Sequence, residues 1–301
     1  MPSLRHRPLS LMALVAVLIS GLAIATPGFA SSFSFSTGNP DGKIATASRP
    51  DGSGKFEIES ADDFILTQQT SINAITFTGL LTGTNPTINQ VGVEIYRVFP
   101  NDSDVGRTSG PPTFSTSQVP TRVNSPSDVV FSGRDSTVTG DLTFSTTSLG
   151  SFTAANSILP GGIHPIPNQT TQGNGPVTGT EVVFNVTLTN PFLLPTDHYF
   201  FVPQVDVSNG EFLWLSAPKP IVPPGTPFAP DLQSWTRDAA LDPDWLRIGT
   251  DIVGGAPAPT FNAVFSLTGE SAPEPIPEPA TMLLLGSGLI GILGLRRKLK
   301  K

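Results

Sequence analysis

Proline limits what most of this chain can become. Its 31 prolines are spread through 301 residues, and between positions 31 and 270 they recur too often to leave room for long uninterrupted helices. A proline inside a helix removes a hydrogen bond and collides with the preceding turn. The stretches that escape proline alternate instead. Val182, Phe184, Val186 and Leu188 fall on one side of residues 181–189, with Glu181, Asn185, Thr187 and Thr189 on the other, the period of a half-buried strand. Phe261, Ala263, Phe265 and Leu267 repeat the pattern against Asn262, Ser266 and Thr268, as do Val91, Val93 and Ile95 against Gly92, Glu94 and Tyr96. Residues 55–59, 62–66, 72–78, 137–145, 198–205 and 211–216 are further runs suited to strands. With no helices between them, these segments predict an all-β fold: an antiparallel β-sandwich, jelly-roll-like, with long Pro/Gly-rich loops.

The 29 glycines and 31 prolines make up about a fifth of the chain, below the level at which a chain without a repeat reads as disordered. A hydrophobic content of 38% supplies a core. Three connections, 100–127, 154–180 and 217–231, break the strand rhythm with Pro, Gly, Ser, Thr and Asn. Loops of that length are uncommon in a compact domain unless they carry function or stay mobile. The run Ala61-Asp62-Asp63-Phe64-Ile65-Leu66, followed by residues 72–77, is similar over fewer than twenty residues to an opening strand pair of secreted bacterial β-sandwich domains with variable C-terminal anchors.

The two ends read as addresses. A basic start (Arg5, Arg7), an apolar run over 9–24 and Gly28-Phe29-Ala30 predict a signal peptide over 1–30, cleaved by signal peptidase after the general secretion machinery has engaged it. An exported chain of this size with no cysteine relies on its core instead of a disulfide framework. Beyond an extracytoplasmic domain over 31–270, the Pro/Glu-rich segment 271–279 reads as an extended stalk. Residues 280–295 follow as an uncharged, glycine-punctuated helix. It is too short to span a bilayer easily, and the basic tail 296–301 stays cytoplasmic.

In that order, Pro277-Glu278-Pro279, the short apolar helix and Arg296, Arg297 and Lys298 closely resemble the PEP-CTERM sorting signal of exopolysaccharide-producing bacteria. The resemblance covers about the last 25 residues. It implies recognition by a membrane-embedded exosortase, an inner-membrane intermediate with the body outside the cytoplasm, and then a place at the cell surface or beyond.

Seven of the 17 basic residues sit at the two ends, so the body carries ten against 24 acidic ones. Such a surface repels phosphate backbones, which argues against nucleic acid as a partner. Recognisable catalytic patterns are missing. No G-x-S-x-G elbow occurs, and Gly54-Lys55 lacks the rest of a phosphate-binding loop. The body's histidines are His164, in a Pro/Gly loop, and His198 between Asp197 and Tyr199, where strand neighbours point to opposite faces. Glu57 and Glu59, two apart on a strand, share a face and read either as a solvated pair or as paired catalytic carboxylates.

Asn101-Asp102-Ser103-Asp104-Val105-Gly106 is the candidate for a structural Ca²⁺, with Asp102 and Asp104 as ligands and Asp128 or Asp135 as helpers. It lacks the downstream glutamate of an EF-hand, and no other cofactor is expected. Trp214 sits in Phe212-Leu213-Trp214-Leu215 and reads as core. Trp235 and Trp245 have polar neighbours in sequence and are the candidates for stacking on sugar rings.

The expected function is that of an exported, non-catalytic cell-surface or extracellular-matrix protein associated with exopolysaccharide or biofilm. A carbohydrate-binding adhesin using Trp235 and Trp245, and a polysaccharide hydrolase or lyase, are the alternatives.

Overall fold

Alternation becomes thirteen strands in the computed structural model, which describes residues 30–102, 124–163, 170–218, 232–239 and 245–272. They are β1 (Ser31–Ser36), β2 (Ile44–Ala47), β3 (Ile58–Leu66), β4 (Thr70–Val98), β5 (Pro126–Asp135), β6 (Leu142–Ala154) and β7 (Asn156–Ile158). After these come β8 (Val177–Leu194), β9 (Asp197–Ala217), β10 (Trp235–Asp238), β11 (Leu246–Arg247), β12 (Asn262–Ala263) and β13 (Phe265–Ser271). A 3₁₀ turn at Pro160–Gly162 and a π-helical turn at Ile248–Val253 are the helical pieces among the described residues. No helix among them is long and apolar enough to cross a membrane. The segments read as signal peptide, membrane helix and basic tail lie outside the described residues, as do His164, Asp104 and residues 273–279 of the stalk.

The long ladders are antiparallel and form one curled sheet. Two strands are long enough to serve both of its layers. In the first half of β4, Phe77 faces Phe265 of β13 on one side and Phe184 of β8 on the other. In its second half, Ile95 faces Phe201 of β9 and Ser132 of β5. One layer therefore runs β1-β13-β4-β8-β6 and the other β5-β4-β9-β3-β10-β11. The β4–β9 ladder shifts register between Gly83 and Thr87. Gly83 has a φ of +96°, and a Cβ there would sit 2.2 Å from the Asn209 carbonyl oxygen, so both conformation and space call for glycine.

The inward residues of both layers meet in one core. Phe77 stacks on Phe184 with centroids 4.8 Å apart, and Phe212 stands edge-on to both. Trp214 is buried among them, and its ring N–H donates to the Val264 carbonyl at 2.8 Å. A second apolar cluster joins Ile44, Leu213, Leu215 and Ile252. A third, comprising Ala61, Tyr96, Phe200, Val202, Leu232, Trp235 and Trp245, lies on the opposite face of β3, β4 and β9 from the first.

The strand boundaries differ from the sequence expectation in an informative way. Runs expected at 72–78 and 91–96 are one strand, as are those at 198–205 and 211–216, because bulges let a strand continue past local irregularity. The run expected over 137–145 begins instead as a turn. The Asp135 carboxylate accepts from the backbone N–H groups of Thr137 and Val138, and the strand starts at Leu142.

Candidate functional site

Strand period places the polar chemistry of the second layer on its outer face, beside the third apolar cluster. Glu59 comes from β3, Glu94 and Tyr96 from β4, Gln204 from β9 and Arg237 from β10. Register brings them together: Arg237 pairs with Glu59, and Glu94 with Val202 two residues before Gln204. Tyr96 Oη lies 2.5 Å from Glu59 Oε1 and 3.0 Å from Glu94 Oε2. The Arg237 guanidinium donates through Nε to Glu59 Oε2 and through Nη2 to Tyr96 Oη at 3.2 Å. Its planar head also lies over the Trp245 ring at 4.5 Å. Gln204 Nε2 donates to Glu57 Oε1 at 2.8 Å, which ties the third glutamate to the same patch.

The Glu94 carboxyl shares this partly buried patch with a second carboxyl, that of Glu59. Burial pushes the Glu94 carboxyl up to about 8, helped by the negative charge of Glu59 and opposed by the Tyr96 hydrogen bond. Glu94 therefore keeps its proton at neutral pH. The Tyr96 phenol is pushed up as well, by burial first and by Glu59 and Glu94 next. The cluster thus holds a neutral acid, a phenol and a carboxylate neutralised by arginine. Glu94 and Glu59 are held through the same Tyr96 hydroxyl, which lies within hydrogen-bond distance of both carboxyls.

The face carries a second constellation at its far end. His198 Nε2 lies 2.6 Å from the carboxylate of Asp63, which is 1% exposed and whose other oxygen accepts the Leu232 N–H at 3.1 Å. His198 also lies parallel to Phe200. Its partner is Asp63 across the sheet, while Asp197 accepts the backbone N–H of His198.

One expectation is corrected here. Trp235 is 3% exposed and Trp245 is fully covered, so neither ring offers a face to a sugar. Arg237, one of the polar residues that suggested a surface setting, covers Trp245; Tyr96 meets that ring edge-on at 5.7 Å, and the Trp245 ring N–H donates to the Ser127 carbonyl. Asp102, expected as a cation ligand, lies 3.3 Å from the Arg97 guanidinium, and its expected companion Asp104 is outside the described residues. Asp135 is taken up by its turn and by Gln90. Among the described residues no group of three or more His, Asp or Glu side chains is arranged to hold a metal ion.

Sequence reasoning found Glu59 and missed Glu94, Tyr96 and Arg237. The signal was present: Glu94 and Tyr96 are two apart on the polar side of an alternating run, as Trp235 and Arg237 are.

By fold and site, this is an antiparallel all-β protein whose described carboxyl clusters are closed and internally paired. More particularly, residues 273–298 match the model of the PEP-CTERM protein-sorting motif, so the chain carries the sorting signal of an exosortase substrate. That span contains Pro277, Glu278 and Pro279 and ends with Arg296, Arg297 and Lys298. No curated protein and no solved structure matches the chain.

Proposed function

We propose that this is a non-catalytic cell-surface or extracellular-matrix protein, sorted through its tail and held in an exopolysaccharide layer, with a jelly-roll-like sandwich as its exported body. The sorting motif carries the reading, because it commits the chain to export and to processing at the membrane. The closed state of the carboxyl cluster supports a structural role for the body. Glycosidases keep their two carboxyls about 5–5.5 Å or about 6.5–9.5 Å apart with the substrate between them, whereas Glu59 and Glu94 have the Tyr96 hydroxyl between them.

Replacing Pro277-Glu278-Pro279 by alanines should leave export intact and stop processing, since the apolar span and its basic stop survive. An unchanged mass and location of the mature protein would refute the proposal.

The hydrolase or lyase reading keeps one observation in its favour, the neutral Glu94 acid beside Glu59. Incubating the purified exported protein with the host's own polysaccharide tests it, and a falling polymer mass would replace the structural reading.

A further inference from the structure

The two layers end in edges of different character. In the second layer, β5 is an edge guarded by Pro126, Asp128, Arg134 and Asp135, and at the other side β11 is only two residues long. Charges, proline and shortness are the usual ways of keeping an open edge from pairing with another chain. In the first layer, β6 has none of them. Its 13 residues, Leu-Thr-Phe-Ser-Thr-Thr-Ser-Leu-Gly-Ser-Phe-Thr-Ala, contain no charge and no proline. Residues 145–151 are all exposed, with Leu149 at 58%. Among the described residues β6 pairs only with β8, so its other side presents backbone N–H and C=O groups to solvent.

Between Asp141, which precedes the strand, and Glu181, which lies opposite Gly150, the face beside this edge carries no charge either. Cross-strand register sets Ser36, Ser266, Thr76, Asn185 and Ser145 in one row over five strands, and Ser34, Thr268, Ala74, Thr187 and Thr143 in the next. In a body with 24 acidic residues, these rows hold none. A second copy approaching these rows meets hydroxyls and backbone instead of like charge. The regular part of the ladder, Leu142 to Ser148, precedes a bulge at Gly150 and is long enough to template an added strand.

We infer that β6 is a self-association edge: a second copy of this chain adds its own β6 antiparallel to the first, about a two-fold axis within residues 142–148, and continues the sheet across the pair. An isologous contact of this kind uses the same strand twice and closes at a dimer. Because both bodies are acidic, added salt strengthens the pair.

Sedimentation velocity of the exported, processed protein over a concentration series tests this. A monomer–dimer equilibrium is expected, shifted to monomer over the same range in Ser145→Lys/Thr147→Lys and unshifted in Thr187→Lys, which charges the same face on the inner strand β8. A protein that stays monomeric throughout overturns the inference. So does dissociation by Thr187→Lys, which would mean that faces associate and not edges.

A second measurement does not depend on the lysine variants folding. The chain has no cysteine, so single cysteines placed at 143, 144, 145, 146 and 147 can form disulfides only between copies. Oxidation should cross-link one position or two neighbouring ones, where the axis brings the strand against itself. Absence of cross-linking at all five overturns the inference.

Discussion

Arg237→Met is the sharpest test of the outer-face cluster. Arg237 is 6% exposed and Glu59 4%, and the guanidinium donates to Glu59 and to Tyr96 while lying over Trp245. Methionine keeps much of the packing volume against the indole but leaves the Glu59 carboxylate with Tyr96 as its nearest donor. Removing one partner of a buried ion pair costs about 3–5 kcal/mol, because the other charge stays buried without compensation. Domains of ordinary stability hold about 5–15 kcal/mol in all, so the variant should fold but with a much lower midpoint.

Urea unfolding followed by tryptophan fluorescence reads this directly, and an unchanged slope would show that the same surface is exposed on unfolding. The control is Arg237→Met with Glu59→Gln. Once the charge is gone as well, much of the loss should return, and the double variant should be more stable than Arg237→Met alone. A single variant within about 1 kcal/mol of the parent, or a double variant no better than the single, would refute the account of a buried, mutually dependent pair.

Glu94 sets a pH dependence. Its folded value near 8 lies above the ordinary 4.5, so the folded protein holds a proton that the unfolded chain releases. The associated stability is full below about pH 4.5 and is lost as pH rises through about 8, and Glu94→Gln should flatten that slope; an unaltered profile would remove Glu94 from the argument. Trp245→Ala and Trp214→Ala should each destabilise by about 3–5 kcal/mol, as buried aromatics do, and a Trp245→Ala protein that melts like the parent would return that ring to the surface. Gly83→Ala should lower the melting temperature sharply, since it combines a φ of +96° with a 2.2 Å approach to the Asn209 carbonyl. A change of under about 0.5 kcal/mol would show that the ladder yields there at little cost.

The parts of this fold that were legible in the sequence are those where one face is dry and the other wet. Val182 to Leu188 alternate cleanly, and β8 is found there. Legibility fades where both faces are covered. Residues 58–64 of β3 are all buried, so their polar members, Glu59, Asp62 and Asp63, look like interruptions when they are in fact satisfied by Arg237, Ser234 and His198. The candidate site was half visible for the same reason. Glu57 and Glu59 were read as a pair sharing a face, but their partners come from strands 37 or more residues away, and no local pattern announces a salt bridge between β3 and β10. Trp235 misleads because polar neighbours in sequence do not make a polar environment: along β10, alternation sends adjacent residues to different faces.

The pairing of Ser31 with Ser271 has a consequence for the order of events during export. Strand β1 pairs only with β13 among the described residues, so the first strand to emerge finds its partner in the last. Loop closure over that distance must be met before the contact gives anything back. The first layer therefore lacks both β13 and β1 until nearly the whole body has emerged. Residue 271 is also separated from the matched motif by a single position, so the strand that completes the sheet is the one next to the sorting signal. Any change that keeps β13 from forming therefore leaves the opening strand of the body without its partner as well.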